Sequence, residues 1–461
     1  MSIATAPRRL SSIFLRKSAA YGYYGLKELA RLFFKGDSRV CRHFVLYPAV
    51  NDAETLGDIV NRVSWYLPSS GSLKIRIDIV AGRQLLGTDL KSILPPASQH
   101  CYTGGKADIR LVGDRPGLGR CGAVLIWNGK SALDLEVIRH IHKADIVDPT
   151  GYLSLESTVY RRLYDRALTE GEKEKLRSLS MSNYRKFAAH GCGLRKGYVF
   201  CTGPSVESSF KYDFSDGIRV ICNSIVNNGD LMAHIRPHLI CFADPVFHFS
   251  PCLYAAEFRR LVLEAVKKYD CFVMVPDYNV ALLLAHYPQL EERIIGMKVP
   301  GIWDSSILQT VKNYFLRLSG NRDRYNFPAE DSFYVAVANS ILPLFMLPVA
   351  SSQCEEIYII GADGRRPGEK YFWKHSSKSQ FTELMESAYR THPGFFYDSL
   401  YDRNYKEYCE DVEKIVAMGE SMGKKYISLT PSLVPALNKR LGRVLQYEQP
   451  RRQLKVQTEE P

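Results

Sequence analysis

Apolar and polar positions alternate along this chain in two blocks, and each block reads as strands separated by helices. In the first, 43–49 (HFVLYPA) is a short apolar run ended by proline and asparagine, which suits a strand. Positions 52–66 place Leu56, Ile59, Val60 and Val63 at helical spacing, and 73–80 (LKIRIDIV) alternates strictly, the mark of a half-buried strand. Further strands are predicted at 108–112, 123–126 and 144–147, with a helix over 133–141. The second block starts at Lys196. Strands are predicted at 197–201, 220–223, 239–243, 271–275, 356–360 and 425–429, and helices at 256–269, 279–286, 332–347 and 405–419. Strands alternating with helices make parallel sheets, so the expected class is α/β with two Rossmann-like domains, the C-terminal one a doubly wound sheet.

The chain divides accordingly. A basic amphipathic segment covers 1–39 and an N-terminal α/β domain 40–150. A charged helical connector covers 151–194, the larger domain 195–445, and a polar, basic tail 446–461. Gly117, Gly119 and Gly122 spell GxGxxG, but they run directly into Ala-Val-Leu-Ile-Trp. A dinucleotide fingerprint needs a strand before it and a helix after it, so this one is expected to be a loop between strands.

Composition narrows the function classes. With 461 residues, 46% hydrophobic and 24% charged, the chain is globular and long enough for two cores. No apolar run approaches the ~18–20 residues of a membrane span. Arg8, Arg9, Arg16 and Lys17 interrupt any signal-peptide core, so a cytoplasmic location is expected. The 11 cysteines contain no CxxC pair and read as reduced thiols. His140 with His142, and His234 with His238, lack further ligands, so no metal is expected.

The net charge of +12 asks for an acidic partner. Part of it lies in residues 8–35, where Arg8, Arg9, Arg16, Lys17, Lys27, Arg31 and Lys35 are interleaved with aromatic and aliphatic residues. Leu26, Leu29, Leu32 and Phe33 fall on one helical face. Two readings stand: a helix lying on an anionic membrane surface, peripheral at the inner membrane, or a helix packed on its own protein with a solvated basic face. No RNA-binding motif or central basic stripe points to nucleic acid.

Candidate chemistry gathers at strand ends in the second block, where open α/β sheets bind ligands. The first strand ends in Thr202-Gly203-Pro204-Ser205, a turn whose glycine admits a phosphate and whose serine offers a hydroxyl and backbone N–H groups. The second ends in Cys222-Asn223-Ser224 and the third in Ala243-Asp244-Pro245. Ser205, Asn223 and Asp244 are all suited to a nucleotide, and all are common turn residues.

This order resembles that of small bacterial sialyltransferases that take CMP-sialic acid, and of the wider sialyltransferase-like and Maf/DUF115-like glycosyltransferase group. Their pattern is a G-x-G-P-S turn, a strand ending in C-N, and a strand ending in an Asn- or Asp-Pro turn. Thr202 stands where the group has asparagine, and Asp244 replaces the usual third-turn asparagine. The likeness continues through Asn339-Ser340 opening a helix, Glu356–Asp363 (EIYIIGAD) and Ser428–Leu433 (SLTPSL), and so covers about 195–440.

The resemblance implies a GT-B-like or sialyltransferase-like arrangement. It also implies inverting, metal-independent transfer of an acidic sugar (sialic acid, Kdo or a relative) from a CMP-sugar to a glycan or lipid-linked acceptor, with no cofactor besides the donor. A histidine would be the general base, and tyrosines would hold the phosphate leaving group. Tyr371 occupies the place of one such tyrosine. His375, in a His-Ser-x-Lys setting, and His392 compete as base, His375 being preferred. Thr202, Gly203, Pro204, Ser205, Asn223, Asp244, Asn339, Ser340, Asp363 and Arg365 are the expected donor-binding set. Arg365, Arg366 and Lys370 form a basic loop suited to a carboxylate or phosphate. The cluster Tyr397, Tyr401, Tyr405 and Tyr408 reads as packing, with one member free for a phosphate. The rival readings are an ATP- and Mg²⁺-dependent pterin diphosphokinase-like transferase using Asp244 and Asp363, and a non-catalytic assembly or nucleic-acid-binding protein.

Overall fold

A computed structural model describes residues 22–23, 25–27, 29–30, 40–94, 107–113, 117–150, 156–300, 325–366, 369, 377–394 and 401–442, the backbone alone for 401–403. The first sheet holds β1 (His43–Val50), β2 (Arg76–Ala81), β3 (Asp108–Val112), β4 (Ala123–Ile126) and β5 (Ala144–Ile146). Its order is β3-β2-β1-β4-β5, with every pair parallel. The second sheet holds β6 (Lys196–Phe200), β7 (Gly217–Cys222), β8 (Leu239–Cys241), β9 (Phe272–Pro276), β10 (Ile294–Met297), β11 (Glu356–Ile360) and β12 (Lys425–Ser428). Its order is β10-β9-β8-β7-β6-β11-β12, again parallel throughout.

Both sheets are therefore Rossmann-like and doubly wound. Each is covered on both faces, as a parallel sheet must be. In β7, Val220 and Cys222 enter the core cluster on one face and Ile221 enters the cluster on the other. The main helices are α1 (Ala53–Tyr66), α2 (Glu156–Ala167), α3 (Glu170–His190), α4 (Leu253–Tyr269), α5 (Val280–His286), α6 (Leu347–Gln353), α7 (Met385–Thr391) and α8 (Tyr401–Ser421). Among the described residues no helix is long and apolar enough to cross a membrane.

The stretch read as a connector divides between the two cores. Val159, Tyr160, Leu163 and Tyr164 of α2 pack on the first sheet, while Tyr184 and Phe187 of α3 pack on the second. A capping box between Thr169 and Glu172 starts α3 where α2 has just ended. The end of α1 docks on the larger unit. Trp65 Nε1 donates to the Phe249 carbonyl at 2.6 Å, and the Trp65 ring stacks on His286 at 4.3 Å with Arg259 over its face.

Three elements differ from the sequence reading. β10 escaped it because IIGM is a four-residue edge strand; its Gly296 N–H donates to Ser180 Oγ of α3 at 3.0 Å. The helix expected over 332–347 begins only at Ile341, in a π-helical turn over Leu342–Met346 that runs into α6. Instead, Val335 N–H bonds the Lys298 carbonyl beyond β10. The helix expected over 133–141 is reduced to Leu135–Ile138, between tight turns. The GxGxxG segment is a loop and short turn before β4, as its context predicts.

Candidate active site

Strand order in the second sheet reverses between β6 and β11, and the crevice outside the carboxyl ends of such strands is where open α/β sheets take ligands. A cleft of about 540 Å³ opens there. Thr202 after β6, Asn223 after β7, Asp244 after β8, the Asn339-Ser340 pair and Arg365 after β11 all line it. These residues span more than half of the second block in sequence, and the topology brings them to one cleft.

Two of the expected turn residues, Gly203 and Asp363, build the wall from behind. Asp363 Oδ2 accepts the Ser205 N–H at 3.0 Å, and Ser205 Oγ bonds Thr430 Oγ1 at 3.0 Å. The Gly203 N–H bonds the Gly361 carbonyl at 2.8 Å. A Cβ on Gly203 would run into that carbonyl and the Asp363 carboxylate. Gly203, Ser205 and Asp363 thus clamp the β6 turn to the β11 turn. The N–H of Ser205, expected to be open to an anion, is engaged in this clamp, and its hydroxyl is engaged by Thr430 just beyond β12.

Asn223 sits at φ +49°, in the left-handed region that asparagine tolerates. Its side-chain oxygen is buried and meets no hydrogen-bond partner among the described residues. Asp244 Oδ1 accepts the N–H groups of Val246 and Phe247 at 2.8 and 2.7 Å, and burial pushes its carboxyl up to about 6. The Asp244 N–H donates to His248 Nδ1 at 2.9 Å. Burial, with Arg259 nearby, pushes His248 down to about 3, so its ring is neutral.

Helix α8 orients the opposite wall. Asp411 Oδ2 accepts the Asn339 N–H at 3.2 Å, and Glu407 accepts from the Asn339 amide. The Arg365 guanidinium lies 4.6 Å over the Tyr405 ring and donates to the Glu369 carbonyl at 3.0 Å, while the Arg365 N–H donates to the Tyr405 hydroxyl at 3.1 Å. Tyr405 and Tyr408 both line the cleft. Lys370, Tyr371, His375 and Tyr397 lie outside the described residues, as does the side chain of Tyr401.

His392 is elsewhere. It is 1% exposed at the end of α7, with Nδ1 3.9 Å from Glu156 Oε2, and is not among the cleft-lining residues. Burial and the Arg62 guanidinium hold its ring well below the usual histidine value. Sequence reasoning missed His248, Tyr254 and Tyr278 as cleft residues. Tyr278 follows β9 as Asp244 follows β8, so the strand-end rule applied once more would have found it.

Asp244 and Asp363 direct oxygens at backbone N–H groups. Among the described residues no group of three or more His, Cys, Asp or Glu side chains is placed to hold a metal ion.

No family model and no curated protein matches the chain. Solved structures similar to it include two of the sialyltransferase CstII from Campylobacter jejuni. The complex with the substrate analogue CMP-3FNeuAc is 13% identical over 55% of this chain and 91% of that one, with a TM-score of 0.28. The complex with cytidine-5'-monophosphate is 15% identical over 54% of this chain and 84% of that one, with a TM-score of 0.26.

Proposed function

We propose that the chain is a glycosyltransferase that takes an acidic sugar from a CMP-activated donor bound in the switch-point cleft. The observation that carries this reading is the convergence of Thr202, Asn223, Asp244, Asn339, Ser340 and Arg365 on one cleft. Its volume lies in the ordinary range for a small-ligand site. The buried Asn223 oxygen meets no donor among the described residues. Cytosine presents an exocyclic amine, and asparagine offers both an acceptor and a donor to a base edge. Arg365, whose guanidinium lies over the Tyr405 ring at the cleft, is the cation of this set and suits a carboxylate or phosphate. Tyr405, Tyr408 and Tyr371 are the proposed donors to the leaving phosphate.

The proposed base is His375. His392 is neutral and so chemically competent, but its place beside Glu156 and Arg62 suits it to packing. The acceptor is a glycan or a lipid-linked glycan.

Calorimetry with CMP, CDP, UDP and ATP, with and without Mg²⁺, tests the reading. The expected result is metal-independent preference for CMP, weakened about tenfold or more by Asn223→Ala, in line with the ~1–3 kcal/mol of a base-edge contact. His375→Ala should then abolish transfer while sparing CMP binding, and His392→Ala should not. Preference for ATP with Mg²⁺ would replace this reading with a diphosphokinase-like one.

A further inference from the structure

A second cavity, of about 860 Å³, opens at the other end of the same sheet. Arg219, early in β7, and His238, just before β8, line it, whereas the cleft lies beyond the carboxyl ends of those strands. The length of β7 therefore separates the two. The loop before β7, the end of the helix Gly229–Ile235 and Tyr269, the last residue of α4, complete the lining. The volume is again that of a small-ligand site. The proposed reaction makes no use of it.

Donors converge in this cavity. The Arg219 N–H donates to His238 Nδ1 at 3.1 Å, and Arg219 Nη2 lies 2.8 Å from His238 Nε2. A neutral imidazole has one lone pair and one N–H. Burial, with Arg219 beside it, pushes His238 down to about 4, so the ring is neutral near pH 7. The backbone N–H takes its lone pair at Nδ1. Nε2 therefore carries the proton and presents it to a guanidinium N–H. Arg219 is held in this position, because its Nε donates to the Arg236 carbonyl at 3.0 Å and its Nη1 to the Phe214 carbonyl at 2.9 Å. An acceptor oxygen beside the two facing donors would take a hydrogen from each.

Arg236 adds a second cation. It ends its helix at φ +50°, where glycine or asparagine is the usual residue. Its N–H donates to the Met232 carbonyl at 2.9 Å, but its guanidinium is exposed and meets no partner among the described residues. The acids nearby are already engaged. Asp213, the one acid among the described lining residues, accepts the N–H and hydroxyl of Ser215 at 2.9 and 2.8 Å. Asp216 pairs with Lys196, and Asp270 with Arg293. Aromatic rings supply the rest. Phe210 is 43% exposed and lies 5.2 Å from the His234 ring at 43°, while Phe214 meets the same histidine at 77°. Neither pair is parallel, so they form no slot for a planar base, but Phe210 offers an open face to the C–H side of a sugar ring.

From the facing donors of Arg219 and His238, the unpartnered Arg236 guanidinium and the exposed Phe210 at one cavity, we propose a second binding site, for an acidic sugar. The carboxylate of a pyranose takes the guanidinium and imidazole N–H groups, its two oxygens matching two donors, and the ring packs on Phe210. This inference does not rest on the proposed reaction.

Calorimetry of the full chain with sialyllactose, in excess CMP to keep the cleft filled, tests it. Sialyllactose should bind and lactose should not. Arg236→Gly should weaken sialyllactose about tenfold or more, the scale of one hydrogen bond to a charged group. Glycine suits the backbone there, so this variant should unfold at the same or a higher urea concentration, which separates lost binding from lost structure. Phe210→Ala should also weaken sialyllactose, and both variants should leave CMP binding unchanged. Equal sialyllactose affinity in wild type and Arg236→Gly would overturn the site, as would equal affinity for lactose. So would displacement of sialyllactose by CMP, which would put the sugar in the cleft, or by inorganic phosphate at the same concentration, which would show a site for any anion. Failure of CMP to bind would overturn the proposed reaction alone.

Discussion

Gly203 has no side chain, and the clamp behind the cleft depends on that. The turn after β6 approaches the turn after β11 so closely that its N–H meets the Gly361 carbonyl at 2.8 Å. Gly203→Ala forces these turns apart or displaces the Asp363 carboxylate from the Ser205 N–H. Overpacking of this kind costs about 1–3 kcal/mol. The expected outcome is a lower unfolding midpoint together with weaker CMP binding, measured on the same sample by denaturant titration and calorimetry. Asp363→Asn, which can keep an oxygen at the Ser205 N–H, should be milder in both. A motif reading shows that Gly203 and Asp363 matter, but it assigns them to the ligand. Their hydrogen bonds are made to each other's turns, which a linear sequence does not display.

The same gap appears among the helices. The spacing of Leu56, Ile59, Val60 and Val63 predicts the buried face of α1, and all four are buried. It does not reveal that Arg62, between them in sequence, is equally buried. Arg62 Nη1 donates to Glu156 Oε2 of α2 at 2.6 Å, its Nε to Asp58, and its Nη2 to the Thr391 carbonyl of α7 at 2.9 Å. One guanidinium so ties three helices across the two sheets. Glu156→Ala removes the buried carboxyl that Arg62 Nη1 donates to and leaves Arg62 with the partly exposed Asp58 as its remaining acid. Loss of one partner from a buried pair costs about 3–5 kcal/mol. A drop of that size in chemical denaturation is the expected result, and replacing Arg62 and Glu156 together by Met and Leu should recover much of it. The strands were legible from alternation wherever they were long or flanked by turn residues. β10 was not, being four residues long, and neither was the late start of the helix after Asn339, where backbone pairing to Lys298 overrides apolar periodicity.

For the molecule as a whole, burial of histidines sets the response to acid. His238 and His286 are pushed down to about 4, His248 to about 3, and His392 well below its usual value, burial being the leading cause in each. Their ordinary value is 6.5. The unfolded chain therefore takes up these protons first as pH falls, while the folded chain refuses them. The stability they confer is present in full above pH 6.5 and is lost progressively below it, from 6.5 to about 4 for His238 and His286 and on to about 3 for His248. Asp244 and Asp277 act in the opposite sense. Burial raises both to about 6, and likewise raises Glu156 to about 8, so the folded chain holds these protons from those values down to the ordinary carboxyl range and gains stability on acidification. The histidines outnumber them, and a lower urea midpoint at pH 5 than at pH 7 is expected, with a shallower fall in His286→Gln. A midpoint that rises on acidification would show that the carboxyls dominate. None of these shifts is readable from sequence, because each depends on what the tertiary fold removes from water.

The placement of β11 beside β6 bears on how the molecule comes to be folded at all. Arg195 and Glu355 pair where those two strands enter the sheet, and they stand 160 positions apart. Contacts of such separation are entropically slow to form, whereas β6 through β9 can be laid down one after another. Thr202, Asn223 and Asp244 are synthesised early, but their cleft has no second wall until the strand leading to Arg365 has emerged and found its slot. Any compound that bridges the two walls would act as a latch on that late closure, so on the proposed function a nascent chain would hold its nucleotide donor only after β11 has taken its place beside β6.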